Sequence, residues 1–313
     1  MSALICGSFA FDNVMVFPDK FKNHILPDKT HMINVSFLVP EMRRSFGGCA
    51  GNIAYNLKLL GGSPLPMATV GNDFAEYRAW FEKHGISTKH VKEKSDSYTA
   101  QAFITTDMDD NQITAFHPGA MGYAHENSVT DAKGVKIGII SPDGRDGMIL
   151  HAREFVEAGI PFIFDPGQAM PMFDGDDLKA FIDQATWVTV NDYEAEMMYE
   201  RTGLSPHDIA ERVEAFIVTQ GSKGSHIYTK KHRIEIPCAK AAELSDPTGC
   251  GDAYRAGLLY GLMHDLDWDT TGRIASLIGA IKIESHGPQN HRFSRKEFGE
   301  RYAREFGHTL ATF

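Results

Sequence analysis

Short apolar runs that alternate with helical patterns constrain the fold of this chain more than any other feature. The runs are rich in β-branched and aliphatic residues, which predicts buried strands. They cover residues 3–7, 65–71, 135–140, 161–164, 187–190 and 215–219. Residues 50–60 and 73–84 carry apolar side chains at helical spacing, with Asp73 as the expected N-cap of the second helix. This alternation predicts an α/β fold, in which a mostly parallel, doubly wound sheet has helices on both faces.

Two segments, residues 17–46 and 98–119, lack this alternation. The second has two strand-like runs around the turn-forming DMDDN, which predicts a β-hairpin. We expect residues of about 13–46 and 98–119 to form a small β layer on the main domain, a candidate lid. Edge strands of the main sheet explain the same segments equally well. Because the chain has no internal repeat and no Pro/Gly-rich linker, we expect a single domain over residues 1–313.

Charge and composition exclude several classes of protein. A net charge of −10 opposes the phosphate attraction on which nucleic-acid binding depends. No apolar run reaches the roughly 18 residues of a membrane span. The N-terminus lacks the features of a signal peptide, so we expect a cytoplasmic protein with no membrane partner. Four widely separated cysteines without a C-x-x-C pair favour reduced, mostly buried thiols over disulfides or a zinc site.

The stretch DPTGCGDAYRAG, residues 246–257, has the pattern of a turn that binds an anion. Gly249 and Gly251 allow backbone N–H groups to approach a ligand, and the following helix adds the partial positive charge of its N-terminus. A carboxylate at Asp252 would repel a bound phosphate unless a group lies between them. A substrate hydroxyl can do so, by donating its proton to Asp252 while its oxygen attacks phosphorus. A glycine-rich turn with an aspartate at a helix start is also common without any ligand.

Polar residues follow several predicted strands, at the sheet edge where ligands bind in parallel α/β folds. They are Asp12, Asp165, Asn191 and the loop 221–224. Asn191 and Glu194 lie three residues apart at a helix start, where an amide and a carboxylate suit Mg²⁺ bound largely through water. Residues 219–224 offer a second glycine pair for a nucleotide, although the chain has no P-loop. Taken singly, each of these residues is better explained as a turn or capping residue.

The sequence GGCAGN, residues 47–52, places two glycines before a helix and Asn52 in its first turn. An amide at Asn52 together with a carboxylate at Asp12 can donate to and accept from the vicinal hydroxyls of a sugar. Two glycines before a helix are a frequent pattern, so this motif alone is weak.

Four motifs together resemble the PfkB, or ribokinase-like, kinases. The family patterns GGxxxN, N-x-x-E, T-x-G-x-x-G and D-[TP]-x-G-x-G-D match residues 47–52, 191–194, 219–224 and 246–252. They occur in the family's order and at its approximate spacing, and the resemblance covers essentially all 313 residues. It implies a large αβα domain with a small β lid, and transfer of the ATP γ-phosphoryl to a primary hydroxyl of a sugar or nucleoside.

The resemblance also implies roles for residues at matching positions. Asp252 would be the catalytic base, with an anion hole formed by the N–H groups of Gly249, Cys250 and Gly251. The remaining positions would bind sugar hydroxyls (Asp12, Gly48, Asn52), organise Mg²⁺ and phosphate (Asn191, Glu194) and line the ATP site (Thr219, Gly221, Gly224). Asp246 and Thr248 match positions that bind a monovalent cation such as K⁺ in some members, although the C-terminal segment HGPQN differs from theirs.

Departures from ribokinases inform the choice of substrate. Cys49, Ala10 and residues 141–144 stand where ribokinases carry a lysine, an asparagine and a glutamate. Aromatic side chains near the expected site suit stacking on a nucleobase, although core packing is the better explanation for any one of them. They are Phe9, Phe11, Phe103 and Phe116.

The whole pattern is most similar to bacterial adenosine or nucleoside kinases. We therefore expect ATP- and Mg²⁺-dependent phosphorylation of a nucleoside 5′-hydroxyl, with adenosine first. Alternatives are a ribokinase- or fructokinase-like kinase of a free sugar, a non-catalytic nucleoside sensor, and a methyltransferase with a similar glycine-rich loop. The expected quaternary state is a monomer or a homodimer formed through the lid.

Overall fold

The structure of the protein, a computed structural model, describes residues 2–25, 32, 34–109 and 111–310. Residues 26–31 and 33 of the expected lid, and residue 110 of the expected hairpin turn, lie outside the described residues. The strands are β1 (Ser2–Cys6), β2 (Ala10–Val16), β3 (Glu41–Gly47), β4 (Pro64–Gly71), β5 (His90–Lys94), β6 (Ala100–Thr106), β7 (Gln112–His117), β8 (Val135–Ile140), β9 (Phe162–Phe164), β10 (Trp187–Asn191), β11 (Ala215–Thr219), β12 (Ser225–Tyr228) and β13 (Arg233–Ile236).

The α-helices lie between and after these strands. They are α1 (Cys49–Leu59), α2 (Ala75–Lys83), α3 (Arg145–Glu157), α4 (Gly175–Gln184), α5 (Asp192–Thr202), α6 (Pro206–Arg212), α7 (Cys250–Met263), α8 (Trp268–Ile283) and α9 (Arg295–Phe306). Of the helices that the structure describes, none combines the length and the apolar character needed to cross a bilayer.

A nine-stranded sheet forms the centre of the molecule, in the order β13-β12-β11-β10-β9-β8-β1-β4-β5. Its strands are parallel except β12, which is antiparallel to both neighbours. Leu4 and Ile5 of β1 are fully buried and belong to two different apolar clusters, one on each face. One cluster packs α1, α7 and α8 against the sheet, and the other packs α3, α4 and α5. The predicted αβα arrangement is confirmed.

A separate four-stranded sheet, here called the small sheet, has the order β3-β2-β6-β7. Strands β2 and β6 are parallel, and the pairs β2/β3 and β6/β7 are antiparallel. The β-layer prediction is therefore correct and the edge-strand alternative is wrong. Two details differ, since β2 begins at Ala10, before the expected segment, and Asp12 lies inside this strand and not in a loop after β1.

Other predictions fail where tertiary contacts decide. Phe74, not Asp73, occupies the N-cap of α2. The Asp73 carboxylate instead accepts from the Thr99 N–H at 2.8 Å and from Nε2 of Gln101 at 3.0 Å, and so ties α2 to β6. Strands β5, β12 and β13, at or next to the edges of the large sheet, were not predicted, because they are short and rich in polar residues.

Candidate active site

The glycine turn at residues 246–251 leads directly into α7, and its geometry requires glycine. Gly249 is the N-cap of α7 with a φ of 82°, in the left-handed region that disfavours side chains. A Cβ added there would lie 2.9 Å from Cβ of Pro288. The first N–H groups of a helix have no acceptor within it, so that of Gly251 is available to an anion. The N–H of Cys250 differs, since it donates to a carbonyl oxygen inside the turn at 3.1 Å.

Asp252 lies in the first turn of α7, beside this group of N–H donors, and is partly exposed. Its Oδ2 accepts a hydrogen bond from Nδ2 of Asn52 in α1 at 2.8 Å. Burial raises the pKa of Asp252 to about 6, although the hydrogen bond from Asn52 opposes this rise. At neutral pH such a carboxylate is ionised, and its pKa lies close enough to neutrality to accept a proton in a reaction.

The orientation of the Asn52 amide is fixed from behind by Gln289, which is 2% exposed. Nε2 of Gln289 donates to Oδ1 of Asn52 at 3.0 Å and also to the Tyr77 hydroxyl. The Oε1 atom of Gln289 accepts from the indole Nε1 of Trp80 at 3.1 Å. Since a buried amide oxygen needs a donor, this series of hydrogen bonds holds Nδ2 of Asn52 towards Asp252. No sequence pattern indicated this network.

One helical turn beyond Asp252, Arg255 forms a buried ion pair. Its Nε and Nη2 atoms each lie 3.0 Å from an oxygen of Asp165, which follows β9. The Nη2 atom is also 4.0 Å from Glu194 Oε2. Burial opposes the charge of Arg255, but the adjacent Asp165 carboxylate raises the pKa of this guanidinium. Asp165 is thus neither the turn residue nor the cap that its sequence context favoured.

Asn191 and Glu194 form a capping box at the start of α5. Oδ1 of Asn191 accepts from the Glu194 N–H at 2.7 Å, and Oε2 of Glu194 accepts from the Asn191 N–H at 2.8 Å. Burial raises the pKa of Glu194. Within the described part of the chain, no cluster of three or more His, Cys, Asp or Glu side chains could hold a metal ion. The single carboxylate of Glu194 still fits Mg²⁺, because that ion keeps several waters and binds nucleotide phosphates.

A pocket of about 700 Å³ opens beside the glycine turn, within the size range of small-molecule sites. Thr219, Gly221 and Gly224, the residues expected to bind ATP, all line it, together with Cys250 and Gly251 of the turn. The rest of its wall is mainly apolar or small, and includes Ala239, Ala241, Leu244, Ala280 and Ile283. The predicted nucleotide loop, residues 219–224, and the glycine turn therefore line one cavity.

Asp12 lies in β2 of the small sheet, near the Asp246 carboxylate of the glycine turn. Burial raises its pKa to about 6, and the nearby carboxylate of Asp246 adds to the rise. Gly48 is the N-cap of α1 with a φ of 86°, and a Cβ there would lie 2.6 Å from the backbone nitrogen of Ala10. This close approach keeps the turn after β3 against β2. Asn52 follows in α1, where its amide bonds to Asp252.

The register of the small sheet separates the two lid phenylalanines. Asp12 pairs with Ala102, and Ala102 pairs with Phe116, so Asp12 and Phe116 share one face. Phe103 pairs with Asn13 and therefore lies on the opposite face. Both rings are exposed. Only Phe116 shares the face of Asp12, so the two phenylalanines predicted for the lid hairpin lie on opposite faces of the small sheet.

The other two aromatic candidates are core residues. Phe9 is 1% exposed and Phe11 is fully buried. The ring of Phe9 contacts those of Phe74, Tyr77 and Phe81 with centroids 4.8–5.2 Å apart. Core packing, the better explanation for each of them in the sequence, therefore holds, and the two rings offer no stacking surface to a base.

All four cysteines are free thiols, as predicted. The expectation that most are buried is wrong, since only Cys6 is buried, Cys49 and Cys250 are partly exposed and Cys238 is exposed. Burial raises the pKa of the Cys49 thiol well above its usual value, and the Asp252 carboxylate adds to this. Cys49 therefore remains a neutral thiol beside the candidate base.

Residues 12–294 match the model of the pfkB family carbohydrate kinases. The chain belongs to the pfkB family. It is accordingly a phosphotransferase whose acceptor is an alcohol group. The matched residues include the glycine turn, residues 219–224 and α1.

Two similar proteins are nucleoside kinases. The structure of the Burkholderia thailandensis nucleoside kinase in complex with inosine is 50% identical, with a TM-score of 0.90 over 98% of this chain and 99% of that one. A structure of that enzyme in complex with ADP-inosine has a TM-score of 0.88 and 51% identity, over 98% of this chain and 97% of that one. The Methanocaldococcus jannaschii nucleoside kinase is 33% identical over 82% of this chain and 85% of its own length.

Proposed function

We propose that this enzyme transfers the γ-phosphoryl group of ATP to the 5′-hydroxyl of a purine nucleoside. The observation that carries the proposal is the position of Asp252 at the N-terminus of α7, beside the pocket that contains the nucleotide loop. The similarity to a nucleoside kinase of about half-identical sequence, with structures in complex with inosine and with ADP-inosine, supports the choice of acceptor. Adenosine and inosine are the acceptors we propose first.

In the proposed reaction, the 5′-hydroxyl lies between Asp252 and the γ-phosphorus. As the oxygen–phosphorus bond forms, the proton of the hydroxyl passes to a carboxylate oxygen of Asp252, and the bond to the ADP leaving group breaks. Asn52 donates to Oδ2 of the same carboxylate, which keeps the other oxygen turned to the acceptor. The N–H groups of the turn stabilise charge on the transferring group.

Mg²⁺ would be held by the phosphates of ATP and, through water, by Glu194. When bound, it would neutralise phosphate charge near the carboxylates. Glu194 is kept in place by the cap at Asn191 and lies 4.0 Å from the Arg255 guanidinium. Because Arg255 also pairs with Asp165, it offsets part of the negative charge that these carboxylates bring to the phosphate site.

On the acceptor side, Asp12 would bind the ribose hydroxyls, and Phe116 would stack on the base. Both belong to one face of the small sheet, and Asp12 on that face lies near the Asp246 carboxylate of the glycine turn. A free sugar offers no base to an exposed aromatic ring, so this arrangement favours a nucleoside over ribose or fructose. The small sheet would act as a lid that limits the access of water once the nucleoside is bound.

A screen of ADP release tests this proposal. The acceptors are adenosine, inosine, other nucleosides, ribose and fructose, with the 5′-deoxy form of the best nucleoside as the matched control. We expect turnover with purine nucleosides, little with the free sugars and none with the 5′-deoxynucleoside. Faster turnover with ribose or fructose would replace the proposal with a sugar kinase. Binding of a nucleoside without any ADP release would favour a sensor.

A further inference from the structure

Lys282 lies in the penultimate position of α8, behind the glycine turn, and is fully buried. Its Nζ donates to the main-chain oxygen of Asp246 at 2.7 Å and to that of Ser285 at 3.1 Å. Buried lysines are rare unless they are paired. Here the ammonium lies at the C-terminal end of a helix, where unpaired carbonyl oxygens favour a positive charge.

The same ammonium lies where the first residue of the glycine turn meets the loop between α8 and α9. The N–H of Asp246 donates to the Ile283 carbonyl at 3.1 Å. The Asp246 carboxylate accepts from the N–H groups of Thr248 and Gly287, each at 2.8 Å. Burial opposes ionisation of Asp246, yet these donors hold its pKa below the usual value. The start of the turn is therefore fixed by Lys282 and by backbone groups.

These contacts test the monovalent cation that the family resemblance implied at Asp246 and Thr248. A monovalent cation would need main-chain oxygens that gather around one point and lack a positive partner. The main-chain oxygens of Asp246 and Ser285 already accept from an ammonium, and both carboxylate oxygens of Asp246 accept from N–H groups. The residues present do not fit an added cation, because the lysine supplies the charge itself.

We infer that the ammonium of Lys282 acts as an internal monovalent cation, which fixes the glycine turn so that neither K⁺ nor Na⁺ is required. Lys282 is a positioning residue in this arrangement, since it contacts the backbone of the turn and not the substrate. Pro288, in the loop that the lysine holds, packs against Gly249 of the turn. A shift of the loop would therefore move the N–H groups that face the phosphate.

Cation replacement in the unaltered protein is the first test. Thermal midpoint and kcat are measured in KCl, NaCl and choline chloride at equal ionic strength. We expect the same midpoint and the same kcat in all three salts. A midpoint or a kcat that rises specifically with K⁺ or Na⁺ would overturn the inference. The inference depends on the proposed function only for kcat, so the thermal midpoint tests it even if the acceptor screen fails.

Chemical rescue is the second test. Lys282→Ala removes the ammonium and leaves space, and Lys296→Ala, on the exposed surface of α9, is the matched control. In choline chloride we expect kcat of Lys282→Ala to fall about tenfold or more, since small shifts of catalytic groups are costly. Ammonium, methylammonium or K⁺ should restore part of the lost kcat and raise the thermal midpoint of Lys282→Ala alone. Unchanged kcat in choline chloride, or a loss that no cation restores, would contradict the inference. If Lys282→Ala does not fold, salt replacement in the unaltered protein decides.

Discussion

The two sides of the active site are built differently. On the phosphoryl side, formed by the glycine turn and Asp252, the supporting residues are almost completely buried: Arg255 is 5% exposed, Gln289 2% and Lys282 0%. On the acceptor side, formed by the small sheet, every residue of β7 is exposed. Phosphoryl transfer needs charges and donors that are placed in advance, whereas a nucleoside can complete its own site as it binds. Mutations on the phosphoryl side should therefore change turnover and stability. Mutations on the acceptor side should change substrate binding.

The largest expected effect is on turnover, from Asp252→Asn. The amide has nearly the same shape but cannot take the proton of the hydroxyl, so kcat should fall about 10²- to 10⁴-fold. Binding of ADP and nucleoside, measured by titration calorimetry, should change only slightly. Near-normal kcat in this variant would remove Asp252 from its proposed role.

A large effect on stability is expected from Arg255→Met, which leaves the buried carboxylate of Asp165 without its partner. Loss of one member of a buried pair costs about 3–5 kcal/mol. Arg212→Met is the matched control, because Arg212 pairs with Asp183 at 3.0 Å on the surface, and such pairs contribute about 1 kcal/mol or less. Thermal denaturation should separate the two variants clearly. Equal midpoints would mean that the buried pair does not stabilise the phosphoryl side.

An intermediate effect is expected from Gln289→Leu, which removes the donor that orients Asn52. The Asn52 amide could then rotate, and Asp252 would lose a hydrogen bond that lowers its pKa. Since the base must be ionised, kcat/KM in the unaltered enzyme should fall as the pH drops below about 6. In Gln289→Leu this fall in kcat/KM should begin at a higher pH. Asn290→Ala, at an exposed neighbouring residue, is the control, and an unshifted profile in Gln289→Leu would show that Gln289 does not act through Asp252.

The smallest effect should separate Phe116→Ala from Phe103→Ala. These residues lie on opposite faces of the small sheet and are both exposed. Loss of a stacking ring at Phe116 should raise the KM for a nucleoside about tenfold with little change in kcat, because one stacked base contributes about 1–3 kcal/mol. Phe103→Ala should leave KM unchanged. Equal effects of the two variants would remove the distinction between the faces.

The sequence predicts well what is local. The strands β8 and β11 have the predicted bounds, because apolar runs and turn residues are read directly from neighbouring positions. Because the glycine turn and Asp252 form one short motif, the sequence alone predicted that they lie side by side.

Partners that are distant along the chain were not predicted. Arg255 pairs with Asp165 across 90 positions, and Gln289 reaches Asn52 across 237. Burial of a single polar residue leaves no periodic pattern, so neither pair had a signal in one sequence. The sequence could not assign Phe9 and Phe11 for a related reason, because an aromatic side chain forms the same sequence pattern in a core as in a binding site.

Phosphorylation of a nucleoside by this pfkB-family enzyme is tested most directly by product analysis. The protein is incubated with ATP, Mg²⁺ and inosine or adenosine, and ADP and nucleoside 5′-monophosphate are both quantified by chromatography over time. We predict that the two products appear in equal amounts. ADP formed without any nucleoside monophosphate, or no ADP with either nucleoside, would contradict the account.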